Sequence, residues 1–144
     1  MRNLKITIGS DHGGFELKEK VKQKLEELGY EYYDMGSYDE TPVDYPLIAK
    51  GIAGEVANGR FDRGIIICGS GVGVSITANK IPGVRAVNCS ELYCAKMSRL
   101  HNNANVLTMG GRVIGQDIAF EIVKVWLETE FEGGRHQKRV DMIE

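Results

Sequence analysis

The stretch Gly64-Ile65-Ile66-Ile67-Cys68-Gly69-Ser70-Gly71-Val72-Gly73 runs an unbroken apolar segment into a glycine-rich turn, with one thiol at the junction. A short apolar run without polar alternation reads as a buried strand, the kind that sits inside a parallel sheet. The turn leaves several backbone N–H groups pointing outward, and the helix that follows adds the positive end of its dipole. An anion formed there is stabilised, and the same field favours thiolate over thiol at Cys68. The plainer alternative is a small core hydrophobe, the commoner fate of a cysteine that ends an apolar strand.

Outward from that stretch, short apolar strands alternate with longer helical patterns. Residues 5–8, 31–35, 64–68, 85–88 and 106–109 read as five strands. A first helix carries Leu17, Val21, Leu25 and Leu28 on one face, lysines and glutamates on the other, and Gly29 as its stop. The second has Pro46 near its start, Ile48, Ile52 and Val56 on one face, and Gly59 after its end. Residues 74–79 form a short third helix, a fourth begins after Ser90 as cap, and a fifth carries Ile118, Ile122, Val125 and Trp126. This alternation implies an α/β fold, a parallel sheet with helices on both faces.

With 144 residues and 42% hydrophobic content, the chain reads as one domain, 1–144, around one core. Such a length buries roughly two-thirds of the unfolded-chain surface. The tail 132–144 differs: Gly133-Gly134-Arg135-His136-Gln137-Lys138-Arg139 is basic, flexible at its base and free of apolar periodicity, which suits a solvated end. A net charge of −2 without blocks of like charge points away from nucleic acid and anionic membranes, and toward a small ligand. Cys68, Cys89 and Cys94 are an odd count without metal-ligand spacing, which suits a cytoplasmic home rather than a disulfide framework. Met1-Arg2-Asn3-Leu4-Lys5 lacks the apolar run of a signal peptide, and nowhere do 18 apolar residues occur together.

Ligands of an open parallel sheet bind outside the carboxyl ends of its strands. Those positions hold Gly9-Ser10-Asp11-His12-Gly13-Gly14, the Cys68 turn, and Gly110-Gly111-Arg112. The first has the spacing of a nucleoside-triphosphate loop, but Phe15-Glu16 stands where Lys and Ser or Thr belong. The second begins as a dinucleotide fingerprint, yet Val74 replaces the last glycine. Neither nicotinamide nor flavin is expected.

Each polar candidate has an ordinary alternative. Asp11 fits a helix cap, His101 a partner for a helix C-terminus, and Arg112, Arg135 and Arg139 surface charges. His12 is harder to dismiss, because Gly13 and Gly14 leave little bulk to bury it. Together they suit a phosphate and a sugar: fork-shaped donors, a histidine and open amides.

Taken in order, Gly9–Gly14, Asp44-Tyr45-Pro46, the Cys68 turn, Ala78-Asn79-Lys80, Arg99-Leu100-His101-Asn102 and Glu132-Gly133-Gly134-Arg135-His136 resemble the type B ribose-5-phosphate isomerases, grouped with galactose-6-phosphate isomerase subunits. The resemblance implies a Rossmann-like, doubly wound sheet and interconversion of ribose 5-phosphate and ribulose 5-phosphate without metal or other cofactor. It also implies a homodimer or tetramer with active sites shared between subunits. Cys68 would be the proton acceptor, His101 the ring-opening acid, and Asp11 its partner in holding the sugar. Amides from Gly69 through Ser70, Gly71 and Val72 to Gly73 would stabilise the enediolate. His12, Arg112, Arg135 and Arg139 match positions that contact substrate, chiefly its phosphate, and Tyr45 and Asn102 match further binding positions. One branch of the family uses a glutamate base where Val74 stands, with glycine matching Cys68; this chain falls in the thiol branch. Ser70 stands where some relatives have threonine, which bears on sugar preference. Allose 6-phosphate and galactose 6-phosphate remain alternative substrates, and a non-catalytic sugar-phosphate-binding module is the alternative class.

Overall fold

The apolar run around Ile66 forms the central strand of a five-stranded sheet in the order β2-β1-β3-β5-β4. The computed structural model describes residues 3–144; Met1 and Arg2, where the segment read as lacking a signal peptide begins, lie outside them. The strands are β1 Ile6–Ser10, β2 Tyr32–Asp34, β3 Arg63–Cys68, β4 Ala86–Asn88 and β5 Val106–Gly110, and every pairing is parallel. Between them run α1 Phe15–Glu27, α2 Tyr45–Ala57, α3 Val72–Ala78 and α4 Leu92–Asn102, with α5 Gln116–Glu128 and α6 Arg135–Ile143 completing the chain.

Successive side chains of β3 point to opposite faces, so its continuous apolar run feeds two cores. Ile65 and Ile67 join Ile6, Ile8, Leu107 and Met109 beneath α1 and α5, whose Leu17, Val21, Leu25, Ile122 and Trp126 cover that face. Ile66 and Cys68 face the other way, against Ala49, Ile52 and Val56 of α2 and Val74 and Ala78 of α3. The expectation of one core is therefore corrected to two, divided by the sheet. Burying a side chain such as Ile66 contributes about 1.5–3 kcal/mol.

Lys18 departs from the expected polar face of α1. It is 0% exposed, and its Nζ donates to both carboxylate oxygens of Asp34, at 2.9 and 2.8 Å, and to the Ser37 carbonyl. Burial alone would raise the Asp34 carboxyl; hydrogen bonds from Lys18, the Gly36 N–H and Lys22 outweigh it and hold that carboxyl below its ordinary range. The tail also differs from expectation. Residues 135–143 are helical and dock on α4 through buried His136 and Val140, a spacing of four that a nine-residue segment signals only weakly.

The chain crosses from the β2 side of β1 to β3 and then outward to β4, which places the reversal of strand order between β1 and β3. Ligands of doubly wound sheets sit at such a reversal, beyond the carboxyl ends of the strands.

Candidate active site

Three turns meet at that reversal and are stitched through their backbones. Asp11 N–H donates to Ile67 O at 3.3 Å, Gly111 N–H to Cys68 O at 2.8 Å, and Arg112 N–H to Gly69 O at 3.0 Å. The turns touch so closely that a Cβ on Gly14 would fall 2.2 Å from Ile67 O. Cys68 ends β3 only 5% exposed, and its Sγ accepts the Gly71 N–H at 3.0 Å. Gly71 makes that contact at φ 82°, the left-handed region that disfavours side chains. A backbone donor aimed at sulfur stabilises negative charge on it. Among the described residues, the Ser70 and Gly73 N–H groups bond to no protein acceptor and stay open to a ligand.

Two residues that motif reading misses, Thr108 and Asn88, brace this turn from behind. Buried Thr108 donates through Oγ1 to Gly71 O at 3.0 Å, and Asn88 Nδ2 reaches Ser70 O at 3.4 Å. The available signal is a polar residue inside the apolar strand Val106-Leu107-Thr108-Met109. Tyr45, at the start of α2, lays its ring on Gly73. Asp11 is buried, and its Oδ1 accepts the Gly14 N–H at 3.1 Å, so it ties the turn that opens α1. His12 Nδ1 accepts the Val43 N–H at 3.3 Å, which leaves Nε2 as the proton-bearing nitrogen of a neutral ring. His12 and Arg112 line one cleft of about 420 Å³ with Lys20, Glu16 and Glu40.

His101, Asn102, Arg135 and Arg139 stand elsewhere. The 11-residue α4 runs back along the sheet and delivers His101 to the end where β5 begins. There Asn105 O accepts the Gly64 N–H at 2.9 Å, whereas Cys68 pairs with Gly110 at the other end. Four residues of strand, roughly 13 Å, separate those levels. The expected pairing of His101 with Asp11 is therefore not made within one chain.

The amino-end group is organised by Arg99, whose Nη1 donates to Asn103 Oδ1 at 2.9 Å and Ala104 O at 2.6 Å, and whose Nε donates to Thr129 O at 3.1 Å. Burial, with Arg63 and Arg85 adding repulsion, pushes its guanidinium down to about 10. Glu132 N–H bonds Leu100 O at 3.1 Å and brings α6 alongside. Arg135 and Arg139 are exposed, one turn apart on α6. His101, Glu132 and His136 place three donor atoms within 4.8 Å of one another. The two imidazoles lie 15° from parallel, so no single ion can occupy both ring planes, and the set does not fit a metal. Cys89 is a buried thiol that burial pushes up to about 12, which suits packing rather than chemistry. No helix among the described residues is long and apolar enough to cross a membrane.

A family model described as Ribose/Galactose Isomerase matches residues 6–143. Ribose-5-phosphate isomerase B of Escherichia coli is 51% identical over 139 residues, 96% of this chain and 93% of that protein. Among solved structures, ribose-5-phosphate isomerase B of Clostridium thermocellum superposes with a TM-score of 0.95 at 51% identity, covering 97% of this chain and 95% of that one. The Mycoplasma genitalium ribose-5-phosphate isomerase B, solved with bound ribulose-5-phosphate, gives 0.93 at 39% identity, covering 99% and 95%.

Proposed function

This chain belongs to the ribose/galactose isomerase family, which makes it an aldose–ketose isomerase, and we propose that it interconverts ribose 5-phosphate and ribulose 5-phosphate through an enediolate, with Cys68 as the base. The observation that carries the chemistry is the Cys68 sulfur at the end of β3, held against the Gly71 N–H inside a turn of open amides.

The C–H next to the carbonyl of an open aldose is acidic enough for a base placed over it. Cys68 takes the proton from C2 and returns one to C1, while charge develops on the carbonyl oxygen. Fixed amides act most strongly there, each worth about 3 kcal/mol in comparable sites. Substrate in water is mostly cyclic, so an acid–base pair opens the ring first, His101 with Asp11. Because one chain holds these at opposite ends of its sheet, the site is composite: a second copy brings His101, Asn102, Arg135 and Arg139 to the Cys68 edge. Exposed apolar side chains suit that contact, with Val72 at 49% and Ile76 at 58% on α3 beside the Cys68 turn. The arginines, with His12 and Arg112, grip the phosphate and fix C2 over sulfur. Three free cysteines fit a reducing, cytoplasmic compartment.

Purified protein assayed without added metal on ribose 5-phosphate, allose 6-phosphate and galactose 6-phosphate is expected to turn over the pentose fastest and to ignore EDTA. Preference for a hexose phosphate would move the assignment within the family. Activity lost on chelation and restored by a divalent ion would contradict the metal-free mechanism.

A further inference from the structure

The His101 ring lies flat against the His136 ring, with centroids 4.1 Å apart and planes 15° from parallel. His136 is 4% exposed, and its Nε2 is buried without a hydrogen-bond partner, 3.5 Å from the Glu132 carboxylate. An unsatisfied buried nitrogen carries a desolvation cost that a phenylalanine ring there would not. Such a cost is characteristic of functional positions. His136 lies on α6 between Arg135 and Arg139, while His101 ends α4 beside Asn102. The stack thus joins the helix that carries the two arginines to the helix that carries the candidate acid.

We propose that His136 is a positioning residue that locks the ring-opening imidazole of His101 at a fixed distance from the arginines that hold the phosphate. The inference rests on the ribose 5-phosphate reaction proposed for this site. In ring opening, the C1–O4 bond breaks and its electron pair goes to O4, which takes a proton from His101. The O1 hydroxyl gives its proton to the Asp11 carboxylate of the other copy, and the C1=O1 bond forms. O4 and the phosphate sit on neighbouring carbons, C4 and C5. The groups that protonate one and grip the other must therefore belong to one rigid unit. An imidazole alone turns freely about its last torsion, which is broad for a ring on an sp³ carbon. A flat neighbour on one face removes that freedom, and the buried seat of His136 on α6 fixes the neighbour.

The test uses His136→Ala and His136→Phe in the full chain and compares two reactions. One is turnover of ribose 5-phosphate, which needs ring opening. The other is washout of a C1 hydrogen from ribulose 5-phosphate into D₂O, which does not, because the phosphate on O5 prevents that ketose from closing a ring. His136→Ala is expected to lower kcat for ribose 5-phosphate by about 10- to 100-fold, the scale of a misplaced catalytic group, while washout stays near the wild-type rate. His136→Phe, which restores a flat ring, should recover most of the loss. An equal fall in both reactions, or unchanged turnover of ribose 5-phosphate in His136→Ala, would overturn the proposal. A wild-type chain inert toward both sugars would instead remove the underlying reaction, and this inference with it.

Discussion

At the carboxyl edge of the sheet the candidate groups are backbone amides and one sulfur, held between turns that bond directly to each other. At the amino edge they are long side chains on α4 and α6, two helices packed together through buried His136 and Val140. The first edge is preorganised by the strands themselves: wherever β3 ends beside β1 and β5, its turn is fixed. The second depends on the docking of a nine-residue terminal helix and, under the proposed composite site, serves chemistry only when another copy presents it. In the proposed reaction the first edge supplies the base, the oxyanion site and, through His12 and Arg112, part of the phosphate grip; the second supplies the acid and the remaining arginines.

Removing one group from each end should break these roles differently. Cys68→Ala is expected to lower turnover by about 10²–10⁴, the usual worth of an acid–base group, while calorimetry still detects substrate binding. A variant that keeps more than a few per cent of wild-type turnover would take Cys68 out of the mechanism. Arg139→Ala should act chiefly through KM, raising it roughly tenfold with a smaller fall in kcat, because remote binding energy also positions the reacting carbon. An unchanged KM for the phosphorylated sugar would make α6 a structural helix alone.

The carboxyl edge also has a support that sharpens the contrast. Lys18, held by the Asp34 carboxylate, donates to the Ser37 carbonyl, in the loop that brings Val43 onto His12. Asp34→Asn leaves the buried Lys18 ammonium poorly paired and should cost about 3–5 kcal/mol of stability. The Asp34 carboxyl is held low in the folded state, so its contribution is complete above the unfolded-state value of about 3.9 and is lost as pH falls through the folded one. Wild-type stability should therefore drop below about pH 4, and Asp34→Asn should flatten that part of the curve. Denaturant unfolding at pH 7 and pH 3 checks both; an identical pH dependence in the two proteins would contradict it.

What can be read from the residues follows the same division. The strand pattern, the Cys68 turn and the placement of Asp11, His12 and Arg112 beside it follow from local periodicity and from topology, which short-range rules capture. Buried Lys18 is not legible, because its partner Asp34 lies on another element and a lysine on a helix reads as solvated. Nor is α6, whose two anchoring side chains are a histidine and a valine in an otherwise polar segment. The separation of His101 from Asp11 needs the direction of α4 along the sheet, which no spacing in the chain records.

Mixed dimers decide whether the site is composite. Cys68→Ala and His101→Ala chains, each inactive alone, are unfolded together and allowed to reassociate. In a mixed dimer one site inherits both defects and the other neither, so random pairing should return about a quarter of wild-type activity. A mixture that stays inactive while native mass spectrometry finds the mixed dimers would mean that His101 does not serve a partner's Cys68, and the composite site would fall.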